Sequence, residues 1–365
     1  MLRLGGINPN IVTAVGGPHA HILPDQVLGE PFVDKVYSEK AYGNDLFPFD
    51  AQTKKHYART EMMYLTSTGC PYACRYCAQR WPFWPRPIPS IDRELSQVHD
   101  EVGLRHISFC DPNMTHFMYV DENGDKQKID AVARIHDIGK ILRRLDVSCD
   151  CTMRVPNITP EMVEALVRAN CTRLFLGCES GSDRVLRKVA LKGHGVDAIR
   201  QAVLNLRGSG ISTLYSFMGF MEGETPDDLR QTMDLIDWIT ETDEHARVSV
   251  YHYTPYPGTP MYEDAVSGKY GRAYVPPTSM KGWAERRLMN SPLYWIAGLN
   301  FRMDNTQRNF PGEDWALIEP YVTLARKLWR ERDIMDFPCA EVETLIGEQL
   351  ARNRNRRAEG TALPQ

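Results

Sequence analysis

Residues 62 to 77 read Met62-Met63-Tyr64-Leu65-Thr66-Ser67-Thr68-Gly69-Cys70-Pro71-Tyr72-Ala73-Cys74-Arg75-Tyr76-Cys77. The apolar run from Met62 to Leu65 reads as a strand. Gly69 and Pro71 then bend the chain, so the three cysteines sit on a loop at the strand's end. A tight loop can turn three thiolates toward one centre, and thiolates select iron–sulfur clusters and zinc. Structural zinc calls for a fourth ligand close by in sequence. The next residues are Ala78-Gln79-Arg80, and the nearest downstream histidine is His99. Three ligands on a four-iron cluster leave one iron open to bind and reduce a substrate.

The surrounding chain suits such a centre. Its 365 residues, 42% hydrophobic, suffice for one large core or two domains. A net charge of -4 predicts no polyanionic partner. Mean hydropathy is -0.40, and no apolar stretch reaches the roughly 18 residues of a spanning helix. The first residues lack the basic start and apolar run of a signal peptide. Nine cysteines, an odd number, in a chain this long fit a reduced, cytoplasmic protein rather than a disulfide scaffold.

From Met62 onward strands and helices alternate. Strands are predicted over 62–65, 105–109, 146–153, 173–177, 211–217 and 247–253. Helices are predicted over 91–102, 129–142, 197–206 and 226–239, with another opening at Thr159-Pro160 as N-cap and first-turn proline. This order implies parallel strands with right-handed crossovers, an α/β fold. Six such units fit a partial, TIM-like (β/α)6 barrel, with chemistry at the C-terminal strand ends. Residues 121–127 read as a polar loop. Trp81-Pro82-Phe83-Trp84-Pro85-Arg86-Pro87 cannot form a regular helix; it serves either as an aromatic wall over the site or as a stiff surface loop.

Both ends differ from this core. Residues 11–15 read as a buried strand followed by Gly16-Gly17-Pro18-His19, either the ligand edge of a doubly wound sheet or a tight turn. Residues 43–60 read as a linker. After Tyr262 the rhythm stops, and Trp283, Trp295, Trp315 and Trp329 lie beyond it. Residues 313–331 and 340–352 look helical. The expected organisation is an N-terminal Rossmann-like remnant (1–50), a core (58–262) and a mostly helical C-terminal cap (263–365). The basic tail Arg352-Asn353-Arg354-Asn355-Arg356-Arg357 lacks interleaved aromatics and reads as solvated, not as a nucleic-acid site.

The CxxxCxxC spacing, with Tyr76 just before its last cysteine, resembles the radical SAM superfamily. The resemblance implies that Cys70, Cys74 and Cys77 hold a [4Fe-4S] cluster. The open iron would chelate the amino and carboxylate groups of S-adenosylmethionine. An electron, supplied by a partner such as flavodoxin or ferredoxin, would break the sulfonium bond and yield a 5′-deoxyadenosyl radical. By the same resemblance Tyr76 lies near the adenine.

Other segments are similar to the cobalamin-type subgroup. Leu176-Gly177-Cys178-Glu179-Ser180-Gly181 resembles its Gly-x-Glu-Ser-Gly run, implying that Glu179 and Ser180 hold polar groups of adenosylmethionine. Arg154 ends the preceding strand and would pair with Glu179 or with the methionyl carboxylate. Asp111 ends the second strand, where the family carries an acidic residue close to the sulfonium or the substrate. Tyr256 and Pro257 belong to a turn similar to the family's Pro-x-Pro-Gly-Thr-Pro, beside the adenine. Cys339, in the expected cap, is a candidate radical or acid–base residue. Gly223-Glu224-Thr225 resembles a family turn, with Thr225 capping the next helix. Residues 5–36 look like the last unit of a cobalamin-binding domain whose remainder is missing here, which leaves cobalamin binding open.

The implied activity is a radical reaction on a small or medium organic substrate. C-methylation or related cobalamin-type chemistry in natural-product or tetrapyrrole biosynthesis leads. The alternatives are cobalamin-free dehydration, epimerisation or decarboxylation of a sugar-like substrate, tRNA modification, and a non-catalytic cluster-binding scaffold.

Overall fold

The computed structural model describes residues 13–15, 22–30, 33–36 and 62–279, apart from Arg80, Glu122, Phe220, Thr254, Gly271 and Arg272. Gly16-Gly17-Pro18-His19, the linker over 43–60, Cys339 and most of the expected cap lie outside the described residues.

Near the N-terminus, β1 (Ala14–Val15), α1 (Pro24–Leu28) and β2 (Lys35–Val36) form one strand–helix–strand unit. The two strands pair in parallel. Asp34 ties them together, accepting from the Thr13 backbone N–H at 2.6 Å and hydroxyl at 2.9 Å.

The core then begins. β3 (Met62–Tyr64) leads to β4 (Ser67–Thr68) and β5 (Trp84–Pro85), then α2 (Ile88–Val102) and β6 (His106–Phe109). β7 (Met118–Val120), β8 (Lys126–Lys128), α3 (Ala131–Arg144) and β9 (Ser148–Met153) follow. Next come α4 (Pro160–Arg168), β10 (Cys171–Glu179), α5 (Val196–Leu206) and β11 (Ser212–Gly219). α6 (Pro226–Thr242), β12 (Ala246–His252) and α7 (Pro260–Val266) complete the described part.

One six-stranded sheet, in the order β12-β11-β10-β9-β6-β3, organises all of this. Every adjacent pair is parallel. Each strand lies beside its predecessor in the alternation, as short connections between consecutive units favour. The sheet is the open, partial α/β barrel expected from the sequence.

Period-two burial explains the layering. Ile107 and Phe109, Cys149, Cys151 and Met153, Leu174 and Leu176, and Tyr215 and Phe217 share a core with apolar residues of α2 to α6. The other face is polar. Asp150 accepts from Ser108 at 2.6 Å and Arg173 at 2.6 Å, and lies 3.0 Å from His106 Nε2. These groups hold Asp150 below the usual carboxylate range against the opposing effect of its burial. The additional cysteines on β9 and β10 are thus core residues, the ordinary fate of a small apolar thiol.

Helix starts follow local chemistry. Thr159 caps α4 by accepting from the Met162 N–H, with Pro160 at the first turn. Thr225 and Asp228 form a reciprocal capping box on α6, so Thr225 has the capping role read from the sequence.

Three local expectations change. The polar loop at 121–127 is the tip of an antiparallel hairpin, β7 against β8; its lysines and glutamine gave no apolar alternation. The proline-rich stretch is neither a free wall nor a plain surface loop. β5 pairs antiparallel with β4, which buries Phe83 and leaves Trp84 41% exposed. Finally, the rhythm runs one helix further than expected, through α7, which starts at a proline and is capped by Thr259.

Candidate active site

The cysteine loop hangs from the C-terminal end of β3. Gly69 has φ +74°. A Cβ there would lie 2.0 Å from the Pro82 carbonyl oxygen, so only glycine lets the chain pass. That passage sets the Cys70 N–H against the Trp81 carbonyl at 2.8 Å, and the Cys77 N–H closes a turn onto the Cys74 carbonyl at 3.2 Å. Between them Arg75 is anchored on two sides. Its N–H donates to the Ala190 carbonyl, its carbonyl accepts from the Met261 N–H, and its guanidinium pairs with Asp264 on α7.

Burial pushes the Cys70 and Cys77 thiols up; Cys74 adds to both, and Cys70 adds to Cys77. Cations oppose that cost. Arg154 Nη1 lies 3.5 Å from Cys74 Sγ, and Lys192 draws both Cys70 and Cys77 back down. The Gln79 N–H donates to Cys77 Sγ at 3.3 Å. Among the described residues, no three His, Cys, Asp or Glu side chains converge as ligands of a single ion would. On a four-iron cluster each thiolate instead takes its own iron. Three thiols on one loop, with cations and an N–H directed at sulfur, fit such a cluster in donor chemistry.

Opposite the loop, β10 ends at Glu179, which holds φ +68°, a left-handed conformation uncommon outside glycine. Its carboxylate Oε1 accepts from the Tyr76 hydroxyl at 2.8 Å and from Lys192 Nζ at 2.5 Å. Lys192 also donates to the Tyr76 hydroxyl at 2.8 Å. Burial and the adjacent Glu179 charge push the Tyr76 phenol well above its ordinary range. Tyr76 and Glu179, both singled out in the sequence, therefore meet directly.

The other candidates occupy different places. Arg154 does not pair with Glu179. Its guanidinium stacks on the Tyr72 ring at 3.6 Å and donates to the Lys192 carbonyl as well as to Cys74 Sγ. Asp111 is 1% exposed and faces the protein. It accepts from the Thr66 N–H at 3.2 Å, the Thr66 hydroxyl at 2.8 Å and the Ser67 hydroxyl at 2.5 Å. Ser180 is also turned inward, 3.1 Å from the Thr232 hydroxyl and accepting from the Ser182 N–H. Tyr256 is half exposed, whereas Pro257 is buried. Gly258 lies against Ile22 of the N-terminal unit, whose side chain would be 3.4 Å from a Cβ there.

Lys192 was missed. It lies 13 residues beyond Glu179 and 116 beyond Tyr76, past a π-helical turn at Val185–Val189. The available signal was its setting in Leu191-Lys192-Gly193-His194-Gly195, where the glycines mark irregular backbone.

Comparison with known proteins agrees with this architecture. Residues 64–236 match the family model described as the Radical SAM superfamily. An uncharacterized methyltransferase, PH0819 of Pyrococcus horikoshii, is 29% identical over 208 residues, 56% of this chain and 41% of that protein. A tRNA-2-methylthio-N(6)-dimethylallyladenosine synthase of Pelobacter propionicus is 26% identical over 265 residues, 69% of this chain and 56% of that protein. The chain thus spans about half the length of these curated relatives. Among solved structures, the cobalamin-dependent S-adenosylmethionine radical enzyme OxsB superposes with a TM-score of 0.53 at 16% identity, covering 80% of this chain and 50% of OxsB. Cysteine loop, parallel six-stranded sheet and family match lead to one assignment: residues 64–236 are a domain of the Radical SAM superfamily.

Proposed function

We propose that this chain is a radical SAM enzyme that binds a [4Fe-4S] cluster through Cys70, Cys74 and Cys77 and cleaves S-adenosylmethionine reductively. The observation that carries this is the meeting of the cysteine loop with Tyr76, Glu179 and Lys192 at the C-terminal edge of the sheet. When bound, the cluster would supply the electron and the open iron. The chain's own part is to hold and surround it. Arg154 and the Gln79 N–H place positive character at sulfur, which tunes the potential of a thiolate-bound cluster. Glu179 offers a carboxylate to ribose hydroxyls or an ammonium. Asp111 holds the strand end from which the loop departs.

For the transformation, we favour methyl transfer or related cobalamin-type chemistry on a small or medium organic molecule. Similarity to PH0819, named a methyltransferase, supports this reading. The parallel β1–α1–β2 unit against Gly258 supports a Rossmann-like, doubly wound unit at residues 1–50. The core at 58–262 and a cap at 263–365 complete the proposed organisation. tRNA modification is the second reading, carried by the similarity to methylthio-adenosine synthases. No helix among the described residues is long and apolar enough to cross a membrane.

Anaerobic reconstitution tests the first claim. Changing Cys70, Cys74 and Cys77 to alanine should abolish iron binding; retained iron would sink the assignment. With adenosylmethionine and a strong reductant, the wild type should release 5′-deoxyadenosine or, in methyl transfer, S-adenosylhomocysteine. A loaded protein that does neither is a scaffold. Growth with hydroxocobalamin, with corrinoid counted against iron, separates the chemistries. Stoichiometric corrinoid supports methyl transfer; 5′-deoxyadenosine without corrinoid points to cobalamin-free rearrangement or elimination. tRNA binding that survives moderate salt would promote the second reading.

A further inference from the structure

Lys192 is 7% exposed. Burying an ammonium is costly unless it is paired and hydrogen-bonded. Here two of its three donors go to the Glu179 carboxylate and the Tyr76 hydroxyl, at 2.5 and 2.8 Å. The backbone around it is unusual. The π-helical turn at Val185–Val189 precedes it, Leu191 has φ +48° and Gly193 φ +80°. Such features recur at functional sites. The segment is nevertheless secured, because the Lys192 N–H donates to the Leu186 carbonyl at 2.8 Å and its own carbonyl accepts from Arg154.

The floor beneath it is equally specific. A Cβ on Gly177 would lie 2.5 Å from Glu179 Oε1 and 3.0 Å from Lys192 Nζ. Glycine at that position on β10 leaves the space in which the two charges meet. Nearby, His194 is 5% exposed, its Nδ1 lies 3.3 Å from the Gly195 carbonyl and its Nε2 has no hydrogen-bond partner. A buried acceptor without a donor is uncommon in a finished protein interior and marks an unmet hydrogen bond two residues from the lysine.

We propose that Lys192 is the positioning residue of the adenosylmethionine site, holding the Glu179 carboxylate and Tyr76 hydroxyl in the arrangement that receives the cofactor. The assignment rests on the radical SAM reading above and adds a residue to it. Without the ammonium, the carboxylate at the strained end of β10 turns toward water, and the phenol loses one of its two partners.

The test uses cluster-loaded protein and anaerobic equilibrium dialysis of adenosylmethionine, with iron content and melting temperature measured alongside. Lys192→Met should keep its iron yet bind the cofactor about 10- to 100-fold more weakly, the worth of one charge-assisted hydrogen bond. Lys192→Arg should recover part of the loss. In the Glu179→Gln/Lys192→Met double variant, the two losses should not add, because the lysine acts through the carboxylate. Lys192→Gln keeps a neutral donor for Glu179 but not the charge, and guards against misfolding; it should load iron and bind between Lys192→Met and wild type. Wild-type affinity in Lys192→Met or Lys192→Gln, or additive losses in the double variant, would overturn the assignment. Wild-type holoprotein that binds no adenosylmethionine would overturn the underlying reading and this assignment with it.

Discussion

Asp111 and Thr66, 45 residues apart, are joined twice: the carboxylate accepts both the backbone N–H and the hydroxyl of Thr66. The half-buried Arg134, whose guanidinium donates to the Thr66 carbonyl at 2.8 Å, adds a compensating charge to Asp111. Asp111 thus fastens the segment that launches the cysteine loop. Its burial pushes the carboxyl up while the Ser67 and Thr66 donors pull it down.

Asp111→Ala should therefore cost about 3–5 kcal/mol, as expected when one partner of a buried charged network is removed. Denaturant titration would measure the loss, and iron loading should fall with it. If Asp111→Asn kept full stability and iron but lost adenosylmethionine cleavage, the residue would act on the reacting atoms instead.

Gly69 gives a sharper test of the loop. Gly69→Ala must move the Pro82 carbonyl, which a Cβ would meet at 2.0 Å, and must strain a φ of +74°. The Cys70–Trp81 hydrogen bond lies in the path of that movement. We expect iron incorporation to drop severalfold while far-ultraviolet circular dichroism stays native. Unchanged iron would show that the loop does not depend on this passage.

Glu222 predicts a pH effect. Burial first, and then the Asp264 charge, raises its carboxyl from an ordinary 4.5 to about 7. Between those values the folded chain holds a proton that the unfolded chain has released. Its contribution is fully present below the unfolded value and is lost as pH rises through the folded one. Glu222→Gln should flatten the stability profile between pH 4.5 and 7 and leave the variant more stable than wild type at pH 8. Thermal melts across that range would check it; parallel profiles for the two proteins would refute it.

Asp228 behaves oppositely. Arg184, Ser182 and Thr225 hold its carboxyl down at about 2 despite burial. Its contribution is present above the unfolded value and disappears as pH falls through the folded one. Asp228→Ala removes half of the capping box on α6 and leaves Arg184 without its ion pair. A loss of about 1–2 kcal/mol is expected from the cap, readable by denaturant titration at pH 7 and shrinking as pH falls from the unfolded value through about 2.

The sequence by itself determined the six core strands, the place of the cysteine loop at the end of β3, and the caps at Thr159 and Thr225. Each depends on periodicity or on groups a few residues apart, so local pattern suffices. Only the tertiary structure decided which chemistry faces which. The parallel register of β9, β10 and β11 brings Glu179 toward Tyr76. The turn at Val185–Val189 returns Lys192 over both, while Arg154 goes to Tyr72 and Cys74 instead of to Glu179. Ser180 and Asp111, which look like ligand contacts when read as strand-end polar residues, are turned inward by Thr232 and Thr66. A strand end tells where a side chain sits. Which way it points depends on hydrogen-bond partners distant in the chain, and those exist only once the sheet has assembled.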